Sequence, residues 1–213
     1  MDGVITGVFL IVAFVSLNYL APGPADTFLR NWDSIATEAL IGQIAIAIAA
    51  VFALPFSLAL WRTLRSRDPR MSLAGALLFS IGALLAALLT NLMASELSTL
   101  AALYAAGGAN QGAILVQANV ALYGFSGPLN LSELFLFMGI VPLAGLMVRS
   151  QIFPDWVGYV GVLGALVGVI SIAAGYIALF VALILGLVWI FASCGFLMRS
   201  AGPTRGAARP TSG

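Results

Sequence analysis

Six apolar segments of roughly 20 residues, separated by short polar breaks, run along almost the whole sequence. A helix needs about 20 apolar residues to cross roughly 30 Å of hydrocarbon, so each segment is long enough to span a membrane. Only 8% of the residues are charged, against about 25% in soluble domains, which excludes an ordinary water-soluble fold. The sequence therefore predicts an all-α fold, a polytopic transmembrane helical bundle with six spans. We place these spans at residues 3–21, 36–61, 71–93, 129–148, 156–173 and 176–198.

The arginines are distributed unevenly between the two sides of such a bundle. One of the nine, Arg30, falls on one side and the other eight fall on the opposite side. Positive charge in short loops favours the cytoplasm, so the pattern predicts a membrane protein with both termini cytoplasmic. We divide it into one transmembrane domain, residues 1–198, and a disordered cytoplasmic tail, residues 199–213. The eight are Arg62, Arg65, Arg67, Arg70, Arg149, Arg199, Arg205 and Arg209.

Four of these arginines crowd the break between spans two and three, namely Arg62, Arg65, Arg67 and Arg70. A basic cluster next to a span can bind anionic lipid head groups, which makes membrane lipid a predicted partner. The same cluster is also what the topology alone requires. Both interpretations stay open.

The segment between spans three and four, residues 95–128, is too apolar for a free loop on the external side. Leu97, Leu100, Ala101 and Tyr104 follow the i, i+3, i+4, i+7 spacing of an amphipathic helix at the membrane surface. Residues 114–123 form a second short helix in this interpretation. That helix either enters the bilayer or extends the fourth span outward.

Several kinds of chemistry are excluded by the residues that the chain lacks. It contains no lysine and no histidine, which removes Schiff-base chemistry, haem ligation by histidine and the commonest metal ligand. The single cysteine, Cys194, gives no metal-ligand spacing. A net charge of +1 argues against nucleic acid as a partner. We therefore predict no cofactor, no metal site and no enzymatic activity.

Glu133 is the one carboxylate placed well within a predicted span. Ionisable groups inside a membrane are costly and are functional hypotheses by default, so Glu133 is a candidate proton-relay group or ligand contact. However, Asn130 and Glu133 also have the spacing of a helix capping box, in which Glu133 would only stabilise a helix start. Both interpretations stay open.

Uncharged polar residues gather toward the same side of the predicted bundle. Asn18, Gln43, Asn91 and Asn130 could line an outward-facing polar vestibule together with Glu133. The alternative is ordinary hydrogen bonding between helices.

Glycines recur in the fifth span with the small-xxx-small spacing of close helix contacts, at Gly158, Gly161, Gly164 and Gly168. Gly75 and Gly82 do the same in the third span. Such faces serve either a homodimer or membrane-complex partner, or packing inside one bundle.

Two short motifs resemble a bacterial integral-membrane family catalogued as a domain of unknown function, the 4386 family. They are Arg149-Ser150-Gln151-Ile152-Phe153-Pro154, followed by Trp156, Val157 and Gly158, and Leu60-Trp61-Arg62-Thr63-Leu64-Arg65. The resemblance implies six spans with a long external segment before the fourth. It implies no catalytic residues.

The function predicted from these features is binding or passing a small apolar or amphipathic molecule through the vestibule around Glu133. The alternative is an accessory or scaffold subunit of a larger membrane complex that uses the glycine faces.

Overall fold

The computed structural model describes residues 2–17, 24–174 and 176–200, and the regular structure within those ranges is entirely helical. The all-α prediction is therefore confirmed. The helices in these ranges are α1 (Asp2–Leu17), α2 (Ala25–Arg30), α3 (Trp32–Leu64), α4 (Pro69–Ala105), α5 (Gln111–Gly124), α6 (Ser126–Ser150), α7 (Asp155–Ala174) and α8 (Tyr176–Ser200).

Within the described residues, five helical segments are long and apolar enough to cross a membrane: α3, α4, α5 together with α6, α7 and α8. The chain is thus a multi-pass helical membrane protein. The first predicted span, residues 3–21, corresponds to α1, which is described only as far as Leu17. Its outer end, like Asn18, lies outside the described residues, so the count of six spans stays a prediction. The predicted disordered tail, residues 199–213, also stays a prediction for most of its length. Helix α8 runs to Ser200, and residues 201–213 lie outside the described ranges.

Six helices form a ring in the order α1, α3, α4, α6, α7 and α8, with each helix packed against the next. The contact of α8 with α1 closes the ring and is smaller than the contacts between the other neighbours. We call one end of the ring the arginine end (residues 62–70, 149–155 and 199–200). The other is called the opposite end (residues 25–38 and 95–128).

The helix α4 continues well past the predicted end of the third span. We expected a span over residues 71–93 followed by a separate amphipathic helix, but α4 runs unbroken to Ala105. The reason is that residues 94–105 contain no glycine or proline to end it. Its 37 residues measure about 55 Å at 1.5 Å per residue, which exceeds the thickness of the hydrocarbon.

Three residues of the predicted apolar face nevertheless lie together within this extension. Leu97, Leu100 and Ala101 are buried in a second, smaller core at the opposite end. This core also contains side chains of α2, α5 and the start of α3.

The second short helix predicted in this segment is α5, which extends slightly beyond residues 114–123 on both sides. Only Phe125 separates α5 from α6, and its dihedral angles (φ −76°, ψ −12°) are those of a right-handed helix. This favours the alternative in which the short helix extends the fourth span. Because of it, α6 starts at Ser126 rather than at the predicted Leu129.

The glycines bring helices of this one chain into close contact. In α7, Gly158 lies against the backbone of α6, Gly164 against Leu185 of α8, and Gly168 against the ring of Phe137. A methyl group at any of these positions would meet atoms of the neighbouring helix. The geometry favours the packing alternative over an intermolecular glycine face.

The motif at residues 149–154 forms the turn between α6 and α7. Gln151 takes the left-handed conformation that ends α6 (φ 57°), and the Ile152 amide donates to Ser150 Oγ at 3.3 Å. The Phe153 ring is buried and meets Phe196 of α8 edge-on, with centroids 6.5 Å apart. The motif that carries the family resemblance is therefore a structural turn.

Candidate functional site

An elongated cavity of about 470 Å³ lies inside the ring, lined by α1, α3, α4, α6 and α8. Its lowest and highest lining residues on α4, Phe79 and Met93, are about 21 Å apart along the helix at 1.5 Å per residue. The volume falls within the range of about 300–1,000 Å³ that small-molecule sites occupy. The shape and size suit an elongated molecule aligned with the helices.

The walls of the cavity are apolar. Each lining helix contributes aliphatic or aromatic side chains, for example Leu10, Ile46, Ala83, Leu136 and Leu183. Alanines of α3 and α4 line the cavity, and their small side chains leave its volume unfilled although the two helices pack against each other. The helix α7 contributes no lining residue and closes the ring behind α6 and α8.

An aromatic cluster forms the floor toward the arginine end. Phe56, Phe79 and Trp189 meet edge-to-face, with ring centroids 6.0 to 6.2 Å apart. The adjacent Ser57 and Ser80 hydroxyls share a buried hydrogen bond of 2.7 Å between α3 and α4. Edge-to-face contacts of this kind add to the stabilisation from burial, so the floor is well packed and separates the cavity from the arginine end.

The cavity has a side where the ring is weakly closed. Helices α1 and α8 touch near the arginine end, where Gly3 lies against Cys194 and Gly7 against Phe191. Further along, described residues of both helices line the cavity. Three lining side chains of these two helices, Ile11, Phe180 and Ile184, are 42–46% exposed. The cavity therefore borders the lipid-facing surface between α1 and α8.

Four polar side chains line the cavity. Thr6 Oγ1 donates to the Asp2 carbonyl at 2.9 Å and Ser132 Oγ donates to the Leu129 carbonyl at 2.7 Å, so both hydroxyls are satisfied within their own helices. Thr90 and Glu133 have no hydrogen-bond or ion-pair partner among the described residues. Both lie in the half of the cavity that is nearer the opposite end.

Glu133 reaches this position because α6 begins at Ser126, two helical turns earlier. The capping-box interpretation is therefore wrong: Asn130 lies inside the helix, and no side chain caps its start. Asn130 does not cap α6 because the chain continues from α5 through Phe125 in a helical conformation, so α6 begins four residues before Asn130. Glu133 is thus a partly buried carboxylate on a cavity wall.

The other residues of the predicted vestibule do not converge on Glu133. Asn91 Nδ2 donates to the Ala87 carbonyl at 2.8 Å and to the Gln43 backbone carbonyl at 3.5 Å, which links α4 to α3. Neither Asn91, Gln43 nor Asn130 lines the cavity. For Asn91 the geometry matches the alternative of hydrogen bonding between helices.

The arginine cluster has mixed roles at the arginine end. Arg67 Nη2 donates to the Ser150 carbonyl at 3.2 Å, so it joins the α3–α4 loop to the end of α6. Arg65 lies over the Trp61 ring, 5.9 Å from its centroid. Arg62 and Arg70 are exposed on the same surface. Arg67 is thus a structural contact, and the other three are available to lipid.

Among the described residues, no three His, Cys, Asp or Glu side chains lie close enough together to hold a metal ion.

A second cleft of about 360 Å³ lies at the opposite end, between α2, α3 and α4, beside Arg30, Trp32 and Tyr104.

The apolar lining residues were not predicted from the sequence. Their signal, alanines at helical spacing in α3 (Ala45, Ala49, Ala53), is equally typical of close packing, and Ala45 does not line the cavity.

The family described as "Domain of unknown function (DUF4386)" matches residues 4–201, nearly the whole chain. No curated protein and no solved structure matches the chain.

Proposed function

This chain belongs to the family described as "Domain of unknown function (DUF4386)", and because that description assigns no activity, we propose a function from the cavity. The protein is a non-enzymatic membrane protein that binds or passes a small apolar or amphipathic molecule. The observation that carries this proposal is the cavity of about 470 Å³, whose walls are apolar apart from four polar side chains, of which Thr90 and Glu133 have no partner among the described residues. A pocket with apolar walls and few polar groups is the usual form of a small-molecule site.

We place the protein in the bacterial cytoplasmic membrane with six spans and the arginine end inside. Two features support this placement. The helix α1 occupies a full position in the ring beside α3, as a sixth span would. The exposed arginines Arg62, Arg65 and Arg70 lie at one end, as the positive-inside rule requires of a cytoplasmic face.

The test fills the cavity from α8. Gly186 lines the cavity, and a methyl group there meets no atom within 4 Å, so Gly186→Phe should place its ring in the free space. We expect the wild-type protein, purified from its native membranes in mild detergent, to retain a small molecule detectable by mass spectrometry. We expect the Gly186→Phe variant to lose it.

The matched control is Gly195→Phe, on the same helix, where a methyl group also meets no atom within 4 Å and the residue does not line the cavity. This variant should retain the molecule. Equal retention by both variants, or no retained molecule in the wild type, would contradict the proposal. A stoichiometric protein partner without a small molecule would instead support the alternative, an accessory subunit of a membrane complex.

A further inference from the structure

We infer that the ligand of the cavity is an amphiphile with an amine head group that enters sideways between α1 and α8 and places its head on Glu133. This inference rests on the proposed function and adds the chemical class of the ligand and its route.

The charge of the head group follows from the groups around Glu133. It is the one charged residue that lines the cavity, and its carboxylate has no partner among the described residues. A partly buried carboxylate on an apolar wall is stabilised by an opposite charge, so the cavity is complementary to a ligand that supplies a cation. The chain has no lysine or histidine to do so. A fatty acid would bring a second negative charge, and an alkane would leave the carboxylate unpaired.

The amphiphilic character follows from where Glu133 lies along the cavity. It is near the opposite end, and on α6 the lining continues through Leu136 and Phe137 to Ile140, which is about 10 Å further along the helix. Below Glu133 the described lining is apolar apart from Thr6, whose hydroxyl is already bonded within α1. A ligand with its head on Glu133 therefore places an apolar chain against the aromatic floor.

The route follows from the ring itself. Every exposed lining side chain in the described part of the cavity belongs to α1 or α8. Ile11, Phe180 and Ile184 border the cavity and are also exposed on the surface. Apolar surface at this depth faces lipid, so an amphiphile already dissolved in the bilayer reaches the cavity without crossing water.

The first experiment compares dodecylamine, dodecanol and dodecanoic acid, which differ only in the head group. Native mass spectrometry of the purified wild-type protein at neutral pH should show the amine binding more tightly than the alcohol or the acid. Glu133→Gln should weaken amine binding by about tenfold or more, because the ammonium head keeps a hydrogen-bond acceptor but loses its negatively charged partner. The same variant should leave dodecanol binding within about twofold, since that ligand makes no ion pair.

The outcomes separate this inference from the proposed function. If Glu133→Gln binds the amine as well as the wild type does, the head-group assignment is overturned while the cavity proposal stands. If none of the three ligands binds and Gly186→Phe changes nothing, the proposed function itself fails. Binding of dodecanoic acid in preference to the amine would also overturn the inference.

The second experiment tests the route with cysteine pairs in a Cys194→Ala background. Joining Ile11→Cys to Ile184→Cys with a flexible bis-maleimide should abolish dodecylamine uptake from lipid nanodiscs, whereas capping both with N-ethylmaleimide should preserve it. The control pair is Ile81→Cys with Met138→Cys, on exposed sides of α4 and α6, and linking it should have no effect. Unchanged uptake after linking α1 to α8 would overturn the lateral route.

Discussion

Gly139 shows how single residues decide whether this ring can close. It lies where α6 crosses α4, and a methyl group there would be 2.7 Å from Phe79 Cα and 2.8 Å from the Gly75 carbonyl oxygen. Backbone atoms cannot move aside as a flexible side chain can. We therefore expect Gly139→Ala to lower the free energy of unfolding by about 1–3 kcal/mol, the usual cost of overpacking.

Thermal unfolding in detergent measures this effect, and α6 supplies its own control. Gly145 is on the same helix, but a methyl group there meets no atom within 4 Å. Gly145→Ala should be neutral or slightly stabilising, since alanine favours helix more than glycine does. Equal losses in the two variants would show that the α4–α6 contact does not explain the result.

Single residues are also where prediction from the sequence was least complete. The sequence placed Glu133 within a span, but it left its role open because Asn130 and Glu133 also fit a capping box. That ambiguity depends on where α6 begins, and the start is determined by α5 and Phe125 rather than by local spacing. Likewise, the glycine spacing in α7 predicted close contact correctly but could not say which helix would provide it.

The turn between α6 and α7 makes an element-scale prediction. Gln151 ends α6 with a φ of 57°, a conformation that β-branched residues tolerate poorly. We expect Gln151→Val to lower the free energy of unfolding by about 1–2 kcal/mol. Gln151→Gly should be neutral or stabilising, because glycine adopts this conformation without strain. The comparison of the two variants by thermal unfolding checks the turn, and equal stability of Val and Gly would contradict it.

Most helices could be predicted from the sequence because a membrane span has a strong local signal. The predicted spans overlap α3, α4, α6, α7 and α8 and differ from them mainly at their ends. The largest difference is the extension of α4 to Ala105. Hydropathy predicts where a span leaves the hydrocarbon, but it does not predict where the helix ends. Helix α4 continues beyond the span because residues such as Leu97 and Leu100 pack against α2, α3 and α5.

At the scale of the whole molecule, the cavity is a property that no local pattern contains. Five helices surround it, and their small side chains leave the space between them unfilled. Toward the arginine end, the aromatic cluster of Phe56, Phe79 and Trp189 fills the interior of the ring. Each alanine on its wall has an equally good use in close packing. The sequence could therefore predict which helices occur and that Glu133 is unusual, but not that these helices enclose a space.

Orientation in the membrane is the last property of the whole molecule, and it can be tested directly. The exposed arginines at the arginine end should hold that end in the cytoplasm. In a Cys194→Ala background, Asn110→Cys places a thiol on an exposed residue between α4 and α5, and Ser66→Cys places one in the α3–α4 loop. Spheroplasts expose the outer face of the cytoplasmic membrane to reagents in solution. A membrane-impermeant maleimide should label Asn110→Cys in intact spheroplasts, and it should label Ser66→Cys only after they are permeabilised. The reverse labelling pattern would show the opposite orientation, in which the Glu133 half of the cavity is nearer the cytoplasm.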